Sequence, residues 1–276
     1  MDDLKKLLSE DLEQMTSSSK FTKDMLQPDL NFQRSVQCPV CQDRGIIFDG
    51  DVARPCHCMQ QKRLENRFRH ARMAKNLLNC RIENFHINYY ESNDGSNIHK
   101  ERATKALNAV IDLIKAAEEN RNYGLGLLLT GAVGSGKTFL AAAIANALIE
   151  NNKEVLFLVV PDLLDELRST YNRSADTSEL DLLDTAREVA FLVLDDLGAH
   201  NYTEWTRNRI YSIINYRLNE HLPTIITSNL SLEEMEEYLG DRTTSRILQM
   251  CRVFRLSCEE DIRSQLYQER ENRLRR

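Results

Sequence analysis

The octapeptide at 131–138 constrains the fold of this chain more than any other feature of its sequence. It reads Gly-Ala-Val-Gly-Ser-Gly-Lys-Thr, which matches the phosphate-binding loop of nucleoside triphosphatases, G-x-x-x-x-G-K-T. A short apolar run at 124–130 precedes it, and an Ala-rich run at 139–149 follows it. These runs predict a buried parallel strand and a packed helix, the context that such a loop requires. The motif therefore predicts an α/β fold that binds a nucleotide.

The backbone amides of this loop are expected to hold phosphates at a helix N-terminus, where the helix dipole favours anions. Lys137 is expected to reach the β and γ phosphates of ATP, and Thr138 to hold the magnesium ion. The predicted nucleotide-binding residues are Gly131, Ala132, Val133, Gly134, Ser135, Gly136, Lys137, Thr138 and Phe139.

Strand-like runs alternate with helical ones after the loop. The predicted strands lie at 154–160, 190–194, 224–228 and 253–257. Such alternation predicts a parallel sheet with helices on both faces.

Polar side chains stand at the ends of two of these strands. Asp195 and Asp196 follow the apolar run at 191–194, and Asn229 follows the strand at 224–228. A carboxylate at the tip of a central strand can reach the magnesium of a nucleotide on the neighbouring loop. We expect Asp195 to hold the ion through water and Asp196 to polarise the attacking water. Asn229 is expected near the γ phosphate, where it either orients water or reports the state of the nucleotide. Two acids at a strand end could instead cap the next turn.

Three arginines are candidates for stabilising phosphoryl charge. Arg242 and Arg246 are four residues apart, which places them on one face of a helix. Arginine can act on phosphates across a subunit interface, although a plain surface role is also open for this pair. Arg263, on the final predicted helix, is a candidate that acts within its own subunit.

Four cysteines form two close pairs in the N-terminal third. The pairs are Cys38 with Cys41 and Cys56 with Cys58, and 14 residues separate them. This pattern predicts a tetrahedral structural zinc site, in which His57 is an alternative to one thiolate. Seven cysteines in a chain without a signal-peptide pattern point to metal or free thiols in the cytoplasm.

The predicted organisation is a small N-terminal domain at 1–80, a linker at 81–100 and a nucleotide-binding domain at 101–276. An amphipathic helix at 1–27 serves either as part of the core or as a docking face for another protein. A basic helix at 59–78 is either a solvated surface or a contact for nucleic-acid phosphates or an acidic partner.

Composition narrows the class further. A net charge of −6 excludes a uniformly basic nucleic-acid binder, and 42% hydrophobic with 28% charged residues is typical of a globular protein. The longest apolar run is too short to span a bilayer, so no membrane partner is expected.

With these motifs assembled, the chain resembles the bacterial replicative helicase loaders of the DnaC/DnaI type, a branch of the AAA+ ATPases. The resemblance rests on GAVGSGKT, FLVLDDLG, TSNLSLEEM and GDRTTSRIL in the core, and on CPVCQDRG with PCHC near the N-terminus. It covers nearly the whole length.

The resemblance implies a five-stranded AAA+ sheet preceded by a small helical zinc-binding domain. It also implies binding to the replicative helicase hexamer and to single-stranded DNA, and ATP-dependent self-assembly. By motif, Arg246 is similar to an arginine finger offered to a neighbouring subunit, Arg242 to its companion and Arg263 to the family's second sensor. Asp196 stands where most AAA+ proteins have Glu, which implies slow hydrolysis that a partner or DNA stimulates.

Two other functions are open from sequence alone. One is a transposition regulator of the IstB type, which shares the core but generally lacks the cysteine-rich region. The other is a binding adaptor that does not hydrolyse its nucleotide, which serves only to stabilise the fold.

Overall fold

The computed structural model divides the chain into two compact units, Met1–Met59 and Gln60–Arg276. The residues that it describes are 38–49, 52–56, 58–59, 66–67, 71–92, 95–121, 125–171, 176–199 and 202–274. The helix predicted at 1–27 and the alternative zinc ligand His57 lie outside these residues, as does much of the basic segment predicted at 59–78.

The described part of the first unit is a β-hairpin between the two cysteine pairs. Strand β1, Ile46–Asp49, pairs antiparallel with β2, Val52–Pro55. The small domain was expected to be helical, whereas its described residues are turns at 39–45, this hairpin and a short helical piece at 58–59.

The second unit contains a five-stranded parallel sheet, as predicted. Its strands are β3 (Gly126–Thr130), β4 (Val155–Val159), β5 (Phe191–Leu197), β6 (Thr224–Ser228) and β7 (Cys251–Arg255). Their spatial order is β4-β5-β6-β3-β7, so the strand before the phosphate-binding loop lies between β6 and β7.

Eight α-helices accompany the described strands. They are α1 (Ile98–Glu118), α2 (Lys137–Glu150), α3 (Val160–Tyr171), α4 (Asp176–Glu188), α5 (Glu204–Asn219), α6 (Leu232–Leu239), α7 (Asp241–Met250) and α8 (Ile262–Leu274). Among the residues that the structure describes, no helix has both the length and the apolar character needed to span a membrane.

The alternation of side chains along β3 shows how the helices cover both faces of the sheet. Leu127 packs with α1 and α2 in one buried cluster, whereas Leu128 packs with residues of α3 to α7 in another. Both leucines are fully buried. Because successive strand residues point to opposite faces, α2 lies on one face and α7 on the other.

Residues 71–90, which we call the strap, pack on the second unit. Three short 3-10 helices lie within the strap, at Lys75–Leu77, Ile82–Asn84 and Ile87–Tyr90. The strap runs from the outer edge of β4, where the amide of Phe157 donates to the carbonyl of Ala71 at 2.8 Å, to the phosphate-binding loop. This division of the chain differs from the one expected from sequence, which assigned the strap to the N-terminal domain and the linker. The difference arises because the strap buries apolar residues against α1 and α2.

Arg217 of α5 is fully buried at the amino ends of β5 and β6. Its guanidinium donates to the Thr224 hydroxyl at 2.8 Å and to the Pro223 carbonyl at 2.7 Å. It also donates to the carbonyls of Ala186, Arg187 and Val189. Burial lowers the pKa of Arg217 to about 9. A single side chain therefore joins the end of α4 to the entrance of β6.

Candidate functional site

The loop between β3 and α2 wraps around the ammonium group of Lys137. This Nζ donates to the carbonyls of Gly131 at 2.8 Å and Ala132 at 2.7 Å. Burial lowers the pKa of Lys137 to about 8, against the opposing charges of Asp196 and Asp195. The structure thus places a desolvated cation at the N-terminus of a helix, where a polyphosphate would be favoured.

Thr138 and Asp195, the two residues predicted to hold one magnesium ion, are joined by a hydrogen bond. The Thr138 hydroxyl donates to Asp195 Oδ1 at 2.9 Å, and the Thr227 hydroxyl donates to the same oxygen at 2.6 Å. Burial raises the pKa of Asp195, while these two hydroxyl groups lower it. A hydroxyl and a carboxylate are oxygen donors of the kind that magnesium prefers, so the residues fit the ion.

Asp196 occupies a β-bulge, which its sequence position did not reveal. The pairing register of β5 with β6 shifts between Leu194 and Leu197, and Asp196 has a left-handed φ of 61°. Its amide donates to the Thr227 hydroxyl at 2.9 Å, and its carboxylate accepts from Asn229 Nδ2 at 2.9 Å. Bulges re-aim side chains near functional sites, and here the bulge brings Asp196 and Asn229 together.

The start of α8 closes the loop from the other side. The amide of Ile262 donates to the carbonyl of Gly134 at 3.1 Å, and the amide of Arg263 donates to the Asp261 carboxylate at 2.8 Å. Gly134 has a left-handed φ of 74°, which favours glycine, and a Cβ at this position would lie 2.0 Å from the Asp261 carboxylate. Beyond the effect of burial, the charge of Arg263 also lowers the pKa of Lys137, so this exposed arginine lies within electrostatic range of the loop.

Arg242 and Arg246 lie elsewhere, on α7. This helix packs on the face of the sheet opposite to α2. The guanidinium of Arg246 stacks over the ring of Tyr211 at 5.2 Å, and its buried Nε has no hydrogen-bond partner among the described residues. Arg242 is exposed. This placement is compatible with action on a neighbouring chain.

The four predicted zinc ligands come together in the first unit. Cys38, Cys41, Cys56 and Cys58 are buried, and their sulfur atoms all lie within 4.8 Å of one another. Thiolates bound to a tetrahedral zinc at about 2.3 Å lie about 3.8 Å apart. The Sγ atoms of Cys38 and Cys56 are 3.8 Å apart, and the amide of Gly45 donates to Cys41 Sγ. The donor set fits zinc.

Thr227 and Asp261 are among the groups near the loop that sequence reasoning missed. Thr227 bonds both Asp195 and the backbone of Asp196, and Asp261 directly precedes α8, whose first residue contacts Gly134. Thr227 sits in the run that also supplied Asn229, so its position at the end of β6 was a usable signal. The position of Asp261 before a predicted helix is typical of an N-cap residue, and it does not indicate contact with the phosphate-binding loop.

Phe139, predicted to contact the nucleotide, has its ring centroid 6.2 Å from that of Phe85 in the strap. Its role toward a nucleotide stays a prediction.

Comparisons with known proteins identify the fold and its relatives. A protein-family model described as "IstB-like ATP binding protein" matches residues 55–271 of the chain. A replicative helicase loader DnaI from Bacillus subtilis is 32% identical over 163 residues, which cover 54% of this chain and 51% of that protein. A replicative helicase loader DnaC from Escherichia coli is 27% identical over 206 residues, which cover 75% of this chain and 77% of that protein. The match to DnaI thus spans only about half of that relative.

A solved structure agrees with these matches. The crystal structure of the DnaC helicase loader superimposes with a TM-score of 0.55 and 29% identity, over 67% of this chain and 100% of that chain. The fold is therefore that of the AAA+ helicase loaders.

We expect the protein to take up a proton when ADP binds with magnesium at pH 8. The pKa of Lys137 is lowered to about 8, so about half of the amines are neutral at that pH in the unliganded protein. Phosphates favour the charged ammonium and raise its pKa, so binding draws in protons. Calorimetry in buffers of different ionisation enthalpy measures the uptake.

Two controls accompany this measurement. At pH 6.5 the amine is already charged, and the uptake should nearly vanish. In the variant Lys137→Arg the guanidinium is protonated at both pH values, so the uptake at pH 8 should disappear. Equal uptake at the two pH values, or uptake that survives Lys137→Arg, contradicts the assignment.

Proposed function

Because the chain belongs to the family of IstB-like ATP binding proteins, we propose that it is an ATP-dependent loader, which binds a replicative DNA helicase and delivers it onto single-stranded DNA. The observation that carries this proposal is the match to the E. coli loader over three quarters of both chains. The completeness of the nucleotide site supports it, since the match to a loader would mean little if the phosphate-binding loop were disrupted.

The contacts of the site residues support the following roles. Lys137 and the loop amides would hold the phosphates, while Thr138, and Asp195 through water, would hold magnesium, which would neutralise phosphate charge. Asp196 accepts a hydrogen bond from Asn229, so together they present a carboxylate and an amide at one strand edge. This pair positions the attacking water, with Asp196 as the proton acceptor.

Hydrolysis is slow and depends on a partner. Asp196 has a shorter side chain than the Glu expected at this position in most AAA+ proteins, so its carboxylate reaches less far toward the attacking water. Contact with a neighbouring chain, the helicase or DNA stimulates hydrolysis. ATP binding therefore comes first and hydrolysis later, which suits a protein that must hold its cargo before releasing it.

The three arginines act on nucleotides in two different subunits. Arg263 acts within its own chain, because it lies at the start of α8, the helix whose first residue contacts the loop at Gly134. Arg246 acts on the nucleotide of a neighbouring chain, with Arg242 beside it on α7. Tyr211 holds the guanidinium of Arg246 in one orientation, so it can be presented to a neighbour. ATP thereby favours the assembled state, because only bound phosphate completes the contact between chains.

The cysteine cluster binds one structural zinc ion. All four ligands come from the protein, so the site has no open position for chemistry. Zinc stabilises the hairpin of β1 and β2, which is too small to fold around an apolar core of its own. This unit is the proposed contact for the helicase.

The loading activity itself is testable with circular single-stranded DNA, onto which a closed helicase ring cannot thread from an end. We expect the protein to co-purify with the replicative helicase of its source organism and, with ATP, to place that helicase on the circles. Gel filtration of the DNA, followed by quantification of bound helicase, measures loading. Lys137→Ala should abolish loading, because the loop loses its phosphate cation.

Lys153→Ala is the matched control for this experiment, because Lys153 bonds Asn120 on the surface and should not affect loading. A metal-replete protein that binds ATP but neither binds nor loads the helicase would overturn the proposal. Binding to a transposase in its place would favour the transposition regulator.

Mixing two impaired variants tests whether Arg246 acts between chains. Asp196→Asn should keep ATP bound but not hydrolyse it, and Arg246→Ala should lose at least about tenfold in hydrolysis rate. An equal mixture should hydrolyse ATP faster than either variant alone, because the first variant lends its Arg246 to the intact acid of the second. Single-turnover release of phosphate measures this recovery.

The control for the mixture is Arg168→Ala, which removes an exposed arginine paired with Asp165 and should leave the rate unchanged. Absence of recovery in a mixture that still assembles would place Arg246 within its own chain. Absence of hydrolysis in the wild type under all conditions would favour the adaptor.

Metal content tests the cysteine cluster. We expect about one zinc ion per chain by elemental analysis. Cys41→Ser should lose most of this zinc, since it removes one of four ligands. Cys258→Ser is the control, because this half-buried thiol lies outside the cluster and should keep the full zinc content. Equal zinc in both variants would contradict the assignment.

A further inference from the structure

The end of the strap contacts the phosphate-binding loop through one buried tyrosine. Tyr90 is 1% exposed, and its hydroxyl donates to the carbonyl of Ser135 at 2.7 Å. Its ring packs with that of Phe85, at 5.4 Å between centroids. Burial raises the pKa of Tyr90, so the hydroxyl keeps its proton and remains a donor throughout the physiological pH range.

The bonded carbonyl belongs to the peptide that the loop needs in a fixed orientation. The Ser135 carbonyl and the Gly136 N–H lie in the same planar trans peptide, so they point in opposite directions. A donor that holds the carbonyl on the strap side therefore turns the Gly136 N–H away from the strap. In a loop of this type that N–H is one of the amides that cradle the phosphates.

The residues on either side of Ser135 leave this peptide free to rotate. Gly134 and Gly136 flank Ser135 with left-handed φ values of 74° and 85°, and glycine is the residue with the widest choice of backbone conformations. The freedom that permits the tight turn also permits the peptide to rotate. A Cβ at position 136 would lie 2.6 Å from the Tyr90 hydroxyl, so the two residues are in close contact.

The strap is anchored independently of this hydrogen bond. Asn146, in the middle of α2, is fully buried and donates to the carbonyls of Leu77 at 2.8 Å and Cys80 at 2.7 Å. Phe85 is buried against Leu129 and Leu140. Loss of the Tyr90 hydroxyl alone therefore leaves the strap in place and removes only the contact with the loop.

We propose that Tyr90 is a positioning residue for nucleotide binding, which orients the Ser135–Gly136 peptide so that its amide faces the phosphates. Tyr90 acts through the loop and touches no reacting atom. The inference rests on nucleotide binding at this loop, but it holds whether or not the protein loads a helicase.

The experiment compares two neighbouring tyrosines that undergo the same change. Tyr90→Phe removes the hydroxyl that bonds Ser135, whereas Tyr89→Phe removes one that bonds the exposed carboxylate of Glu269. We expect Tyr90→Phe to raise the Kd for ADP with magnesium by about three- to tenfold, the effect of one lost hydrogen bond. Tyr89→Phe should leave this Kd unchanged. Calorimetric titration of the full-length protein at 20 °C measures both.

Thermal unfolding without nucleotide separates positioning from simple stabilisation. A merely structural role would lower the Tm of Tyr90→Phe and leave the Kd of the folded protein at the wild-type value, which would overturn the inference. An equal rise in Kd for both variants would overturn it as well. Should the wild type itself fail to bind ADP, the nucleotide site and with it the proposed function would fail, which is a different result from equal binding by wild type and Tyr90→Phe.

Discussion

The hydrogen bonds around Asp195 are the constraint on which the rest of the nucleotide site depends. One carboxylate oxygen accepts from Thr138 at the start of α2 and from Thr227 at the end of β6. Asp195 itself belongs to β5, so three elements converge on one buried oxygen atom. The convergence requires the parallel order β5-β6-β3, in which the carboxyl ends of neighbouring strands share an edge. The bulge at Asp196 and the placement of Asn229 follow from the same junction, since Thr227 also holds the Asp196 amide.

The helix behind the loop is held from two directions, and this explains why the nucleotide-binding unit begins before its sheet. The strap reaches α2 at its middle through Asn146 and at its beginning through Tyr90 and Phe85. On the opposite side the start of α8 contacts Gly134. A loop rich in glycine has little conformational preference of its own, so its shape comes from these neighbours.

The sequence predicted the parts of this site whose chemistry is local. The phosphate-binding loop has a fixed spacing of residues, and the acids at 195 and 196 follow an uninterrupted apolar run. The loop and the acids were therefore recognisable in the sequence. The predicted five-stranded parallel sheet was confirmed. The predicted strand ended at 194 because charged residues normally end an apolar run, whereas β5 continues through Asp195 and Asp196 to Leu197. The last strand was placed two residues late, at 253–257, because β7 lies at the edge of the sheet and is mostly exposed.

The features that escaped prediction depend on contacts between distant segments. Nothing in the local pattern of residues 71–90 indicates that they pack on α2, and the partner of Tyr90 is 45 residues away. The bulge at Asp196 arises from pairing with β6, which a single strand does not reveal.

At the other end of the sheet, Arg217 shows how an anchor can be insensitive to the identity of its neighbours. Apart from Thr224, the groups that it bonds are carbonyls of the main chain. Every amino acid supplies a carbonyl, so these hydrogen bonds themselves place no demand on the side chains at positions 186, 187 and 189. The sequence requirement of this attachment therefore falls almost wholly on Arg217.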